Sequence, residues 1–188
     1  MKSLIVPILL MLILISCENT YDATDVKKDL IPFKVGNKWI FERELANSKI
    51  VYDVEVIGDT LIKDKLWYIY TIMGLPFYSN YFEDGIYELY WVDTTTQKAE
   101  LKFKYPANIG ETYKFANYDV KVLSTGTWIE VKAGKFWSYL FEFRDYYSKT
   151  IYSIAPGVGF IKEQWIKYNE NGEVESEMIT ELKEYILN

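Results

Sequence analysis

The sequence predicts an all-β chain, an antiparallel meander curled into a barrel or half-barrel. Three observations predict it. From Lys38 onward apolar and polar residues alternate with a period of two rather than 3.6. Turn signals recur at short intervals between these runs, which suits hairpins joined in sequence order. Aromatic residues make up 18% of the chain, with 17 Tyr and 6 Trp, and such residues favour strands over helices.

The strands follow in order. Ile50, Tyr52, Val54 and Val56 alternate with Val51, Asp53 and Glu55. Ala99, Leu101, Phe103 and Tyr105 alternate with Lys98, Glu100, Lys102 and Lys104, and Ile129, Val131 and Ala133 with Trp128, Glu130 and Lys132. Each reads as a half-buried strand with one face to water. Turns are expected at Ala46-Asn47-Ser48, Gly58-Asp59, Lys63-Asp64-Lys65, Glu83-Asp84-Gly85, Thr94-Thr95-Thr96 and Asn169 to Gly172. Leu66 to Met73, Ile86 to Val92 and Phe136 to Phe143 are apolar on both faces. A flat sheet cannot cover two apolar faces, so it must curl, fold over itself or hold an apolar ligand. The run from Met178 to Leu187 fits a strand or a helix face. The hairpin signal before it favours a strand for its first part.

Pro32, Gly36 and Trp39 share their spacing with Pro106, Gly110 and Tyr113, 74 positions later. This suggests either two related β-halves, 32–105 and 106–188, or one way of entering a strand used twice. The aromatics serve either the core or a ligand-stacking face. Trp39, Trp67, Tyr70 and Trp91 are the candidates for the second role.

The first seventeen residues form a separate unit. Lys2 supplies a positive start, Leu4 to Ile15 is almost wholly apolar, and Ser16 precedes Cys17. The run is within the roughly 7–15 residues of a signal core and below the about 20 of a spanning helix. Cys17 is the one cysteine, so it has no intramolecular disulfide partner. The order resembles a bacterial lipoprotein signal, with residues 1–16 removed and Cys17 lipidated. Residues 17–30 then form the lipidated cysteine and a polar tether, and 31–188 a single β domain. By the same resemblance, Glu18 in place of aspartate favours the outer membrane.

The net charge of −6 argues against nucleic acid, which needs a basic stripe. The chain has no histidine. That removes Ser-His-Asp and Cys-His catalysis and the usual zinc, copper and non-haem iron ligand sets. No metal or cofactor is expected. Carboxylate catalysis of glycan hydrolysis needs a singled-out pair. Glu142, inside an apolar stretch with Arg144 and Asp145 beside it, is the best single candidate, and a paired or solvated residue at the sheet rim is the alternative. Asn169, Asn171 and Glu173 could chelate calcium but lack EF-hand spacing, so they read as a turn.

Ser153-Ile154-Ala155-Pro156-Gly157-Val158-Gly159-Phe160-Ile161-Lys162 is similar to a Tyr-Ala-Pro-Gly-Val-Gly segment of uncharacterised secreted bacterial β-rich proteins and lipoproteins. Those also carry a Gly-x-x-Trp entry, here Gly36 to Trp39, and a Val-x-Ala-Gly-x-Phe corner, here Val131 to Phe136. The order of the three matches, although Ser153 replaces the usual tyrosine. The resemblance implies an antiparallel β fold and brings no activity. Physically, Pro156 ends a strand, Gly157 and Gly159 permit positive φ, Gly134 opens the second corner, and Val158 can plug the core.

The expected function is a lipid-anchored, non-catalytic binding or interaction module of the bacterial cell envelope. Its partners would be the membrane, through the lipid, and an apolar ligand, a glycan or an envelope protein. A lipid carrier of half-barrel type is the alternative, and a carboxylate-based glycan hydrolase ranks last.

Overall fold

The computed structural model describes residues 29–45, 48–91 and 96–188. Cys17 and the tether up to residue 28 lie outside them, as do the expected turns at Ala46-Asn47 and Thr94-Thr95. Twelve strands form one antiparallel sheet: β1 Lys38–Leu45, β2 Ser48–Ile62, β3 Lys65–Ile72, β4 Leu75–Phe82, β5 Gly85–Trp91, β6 Gln97–Lys104, β7 Thr112–Phe115, β8 Tyr118–Val131, β9 Gly134–Arg144, β10 Ser148–Ala155, β11 Gly159–Tyr168 and β12 Val174–Ile186. The order in space is β6-β5-β4-β3-β2-β1-β12-β11-β10-β9-β8-β7. The first strand therefore pairs with the last, and the sheet curls into a barrel with one open seam, between β6 and β7. β12 is a strand throughout, so its strand pattern prevails over its helix pattern.

Side chains bridge the seam where the ladder does not. The Tyr113 hydroxyl donates to the Lys102 carbonyl at 2.9 Å and accepts from the Lys104 amide at 3.2 Å. The Ala116 amide donates to Glu100 Oε2 at 2.5 Å. These contacts cover backbone groups that an edge strand would leave open.

Phe103 on β6 is fully buried and reaches across the barrel to Phe141, Phe143, Tyr152 and Phe160, with ring centroids 5.2–5.6 Å apart. Edge-to-face pairs of this kind contribute about 0.5–1.5 kcal/mol each beyond area burial. On the outer face, Trp128 meets Trp137 at 5.4 Å. Gly126 leaves room for Trp137, because a Cβ there would fall 2.2 Å from its ring.

Among the described residues, one barrel end is plugged by an entering segment and the other is not. Asp29 to Phe33 enters at the plugged end, where Leu30 and Ile31 are buried. The Gly157 amide donates to the Asp29 carbonyl at 2.7 Å, and the Tyr81 hydroxyl donates to the Ile31 carbonyl at 2.7 Å. The turns at 63–64, 83–84, 132–133 and 156–158 share this end. Those at 73–74, 145–147 and 169–173 lie at the opposite end.

The two Pro-x₃-Gly corners make the same three backbone hydrogen bonds. Gly36 donates to Val56, Asn37 to Lys34, and Val56 to Asn37; Gly110 donates to Val122, Glu111 to Asn108, and Val122 to Glu111. Both glycines have positive φ, +88° and +86°. In each case a register shift follows the valine, after Val56 and after Val122.

Two expectations need correction. Gly58-Asp59 is not a turn: it lies inside β2, where the shift after Val56 absorbs one residue and lets the strand continue. β2 ends at the expected turn, Lys63-Asp64, and a further turn joins β3 to β4 at Met73-Gly74, both with positive φ, as a two-residue hairpin demands. Ala99, Leu101 and Phe103 do not share a face. A register shift at Ile86/Tyr87 leaves Lys102 as the extra residue, so Phe103 enters the core while Ala99 lines an outer groove.

Candidate functional site

The candidate ligand aromatics do not converge on one surface. Trp39 is core: its indole Nε1 donates to the Val158 carbonyl at 2.5 Å. Trp67 and Tyr70 are three residues apart on β3, so strand parity sends them to opposite faces. The Trp91 side chain lies outside the described residues. The glycines of the candidate motifs have a structural reason. Gly157 and Gly159 have φ of +80° and +105°, and a Cβ on Gly159 would sit 3.2 Å from the Trp39 indole nitrogen. Val158 is buried beside them. Gly134 has φ +134° and opens β9, and the preceding Ala133 amide donates to the Leu182 carbonyl at 3.1 Å.

Two concavities are formed by the described residues. The larger, about 770 Å³, is an open groove on the outer face of β3 to β6. Trp67 is its floor, Phe82, Tyr87, Leu89 and Ala99 its sides, and Lys63, Lys65, Glu83 and Asp84 its charged rim. Phe82 packs edge-on to Tyr87 at 4.8 Å and to Trp67 at 6.0 Å. The Lys65 ammonium stands 4.6 Å from the Phe82 ring centroid, a cation–π contact. The Tyr87 hydroxyl donates to Asp84 Oδ2 at 3.2 Å.

The smaller concavity, about 180 Å³, lies inside the barrel towards its unplugged end. Phe41, Tyr70, Ile72 and Phe160 are among its apolar walls, and Arg43, Tyr52, Glu163 and Thr180 supply its polar groups. Arg43 Nε donates to Thr180 Oγ1 at 2.9 Å, and Nη2 to the Tyr52 hydroxyl at 3.1 Å and to Glu163 Oε2 at 3.4 Å. A second charge pair adjoins it. Lys102 Nζ and the Tyr70 hydroxyl both donate to Glu88 Oε2, at 2.6 and 2.8 Å. Burial raises the Glu163 carboxyl above the usual range, against the opposing pull of Arg43 and Lys102. Burial first, then the Glu163 and Glu88 carboxylates, hold the Tyr152 hydroxyl well above its ordinary value. Tyr70, which lines the concavity, links it to the Glu88–Lys102 pair.

The candidate catalytic residue Glu142 lies between inward-facing Phe141 and Phe143, so it points away from the core; Arg144 Nε stands 3.6 Å from its carboxylate. Asn169 Oδ1 accepts from the Asn171 and Glu173 amides at 3.0 and 2.9 Å, which is a hairpin turn. Among the described residues, no group of three acidic or cysteine side chains is placed to hold a metal.

No family model and no curated protein sequence matches this chain. Two solved structures resemble it. One is assigned as a lipoprotein from Parabacteroides distasonis, at 14% identity and TM-score 0.50, covering 85% of this chain and 99% of that one. The other is assigned as an exported protein of Bacteroides fragilis with a YmcC-like fold, at 13% identity and TM-score 0.46, covering 86% and 100%. At these identities the likeness concerns the fold, an all-β barrel, and carries no activity.

Proposed function

We propose that this chain is a bacterial cell-envelope lipoprotein that acts as a non-catalytic binding module through its outer groove. The groove carries this reading. Its volume falls within the roughly 300–1,000 Å³ of small-molecule sites, and its apolar floor is rimmed by a few charged groups. Such a site suits a ligand with apolar faces and polar edges, which is the character of a glycan.

The envelope location rests on the first seventeen residues, with Cys17 as the lipidated residue and 18–28 as tether. The Parabacteroides protein of similar fold is itself assigned as a lipoprotein. Glu18 favours the outer membrane.

The lipid-carrier alternative ranks second for a physical reason. The inner concavity of about 180 Å³ is below the usual range of ligand sites, and Phe103 with its four ring neighbours occupies the middle of the barrel.

The test is binding of the full chain, solubilised in detergent, to an array of bacterial and host glycans. Tyr87→Ala and Lys65→Ala probe the groove. The reading expects saturable binding to one glycan class that both variants weaken. Absence of binding across the array, or binding that neither variant changes, contradicts it.

A further inference from the structure

The geometry points to a second binding site, inside the barrel, for a small zwitterion of the free amino-acid class. We propose that the ligand carboxylate binds Arg43 while its ammonium binds Glu163.

Three observations carry this. First, the inner concavity holds both charges side by side. Arg43 Nη2 reaches Glu163 at 3.4 Å, longer than its 2.9 Å bond from Nε to Thr180, and Nη1 donates to no described residue. A guanidinium binds a carboxylate best through two parallel N–H groups, and Nη1 and Nη2 form such a fork once Nη2 gives up its long contact to Glu163. The Tyr52 hydroxyl lies beside the fork, 3.1 Å from Nη2.

Second, the site is neutral in pairs. Arg43 and Glu163 are both part-buried, and a ligand of one net charge would answer one of them and leave the other without its partner. A zwitterion answers Arg43 and Glu163 together. The volume of about 180 Å³ equals about six waters, so it admits a ligand of that many heavy atoms or a few more.

Third, Glu163 belongs to a matched pair. Glu88 pairs with Ser79, three residues up β4 from Phe82, which faces Gly85. Glu163 pairs with Tyr152, three residues up β10 from Ala155, which faces Gly159. Each glutamate thus occupies the same register position after a positive-φ glycine, with Ile161 as one extra residue in the second case. Glu88 is tied by Lys102 and Tyr70 at 2.6 and 2.8 Å, whereas Glu163 has the single long contact to Arg43. Of the two equivalent positions, Glu163 is the one with acceptor capacity left for a ligand.

Arg43, Tyr52 and Ile72 sit near strand ends at the unplugged end, opposite the entry of the chain at Asp29. The ligand would enter at this end.

The test is calorimetric titration of the full chain in detergent with glycine, serine and aspartate. Acetate and ethylammonium serve as single-charge probes and glucose as an uncharged one. Binding of at least one amino acid, tighter than either single-charge probe, is expected. Arg43→Lys keeps the charge and loses the fork, and should weaken binding by about tenfold or more. Tyr52→Phe should weaken it less, and Tyr87→Ala in the outer groove should leave it unchanged, which separates this site from the proposed glycan groove. Absence of heat with every amino acid, equal binding of acetate, or full affinity in Arg43→Lys overturns the proposal.

Discussion

The indole of Trp39 donates a hydrogen bond to the carbonyl of Val158, 2.5 Å away and 119 positions along the chain. This bond joins the Gly-x-x-Trp entry to the Ala-Pro-Gly-Val-Gly corner. Gly159 fits because a Cβ there would press on the same indole. The two motifs are thus halves of one joint at the plugged end of the barrel.

Trp39→Phe keeps most of the apolar volume and leaves the Val158 carbonyl without its donor. The expected loss is about 1–3 kcal/mol. Gly159→Ala meets both the indole and a φ of +105°, and is expected to cost about 1–3 kcal/mol. Urea denaturation of each variant checks this. A cost within experimental error for both would remove the joint from the account.

The seam makes a separate prediction. Tyr113→Phe deletes one donor and one acceptor between β6 and β7, and should destabilise the chain by about 1–2 kcal/mol. Amide hydrogen exchange should speed up first at Lys104 and along β6 and β7. Uniform acceleration across all strands would mean that Tyr113 does not hold the seam.

The two corners predict matched costs. Gly36 and Gly110 have nearly the same φ, and a Cβ at Gly36 would meet only the tip of the Asn188 side chain, while one at Gly110 meets nothing. Gly36→Ala and Gly110→Ala should each cost about 1–2 kcal/mol, chiefly from left-handed strain. Thermal melts of the two variants that differ severalfold in cost would argue against equivalent corners.

Much of the fold was legible because runs with a period of two survive on either side of the register shifts. The doubly apolar runs correctly demanded a curled sheet. Local insertions were not legible. Gly58 carries the composition of a turn, yet one bulge absorbs it; Met73 adopts positive φ with only Gly74 to signal it. The face change at Phe103 depends on Lys102 being the extra residue in β6, which no alternation shows.

The site was less legible than the fold. Trp67 and Tyr70 could have been separated in advance, since a three-residue step on a strand changes face. Glu142 drew attention as a carboxylate in an apolar stretch, but the same criterion fits Glu88, flanked by Ile86, Tyr87, Leu89 and Tyr90, and Glu88 is the buried one. Arg43 and Glu163 gave no local signal, because 120 positions separate them.

Glu163 supplies a pH dependence. Burial holds its carboxyl above the ordinary value of 4.5. Between those two values the folded chain keeps a proton that the unfolded chain has lost. Its contribution to stability is therefore complete below the unfolded pKa and disappears as pH rises through the folded one. Glu163→Gln cannot ionise, so its stability relative to the parent should rise with pH. Urea midpoints at about pH 4 and about pH 8 check this. A relative stability that falls towards pH 8 would contradict it.

The most direct test of the account is the intact mass of the chain extracted from bacterial membranes. The account predicts a polypeptide that begins at Cys17 and carries the added mass of a diacylglycerol and an amide-linked acyl chain, all of it lost from the membrane fraction in Cys17→Ser. A mass that begins at Met1, or a cut that leaves Cys17 as a free thiol, would contradict it.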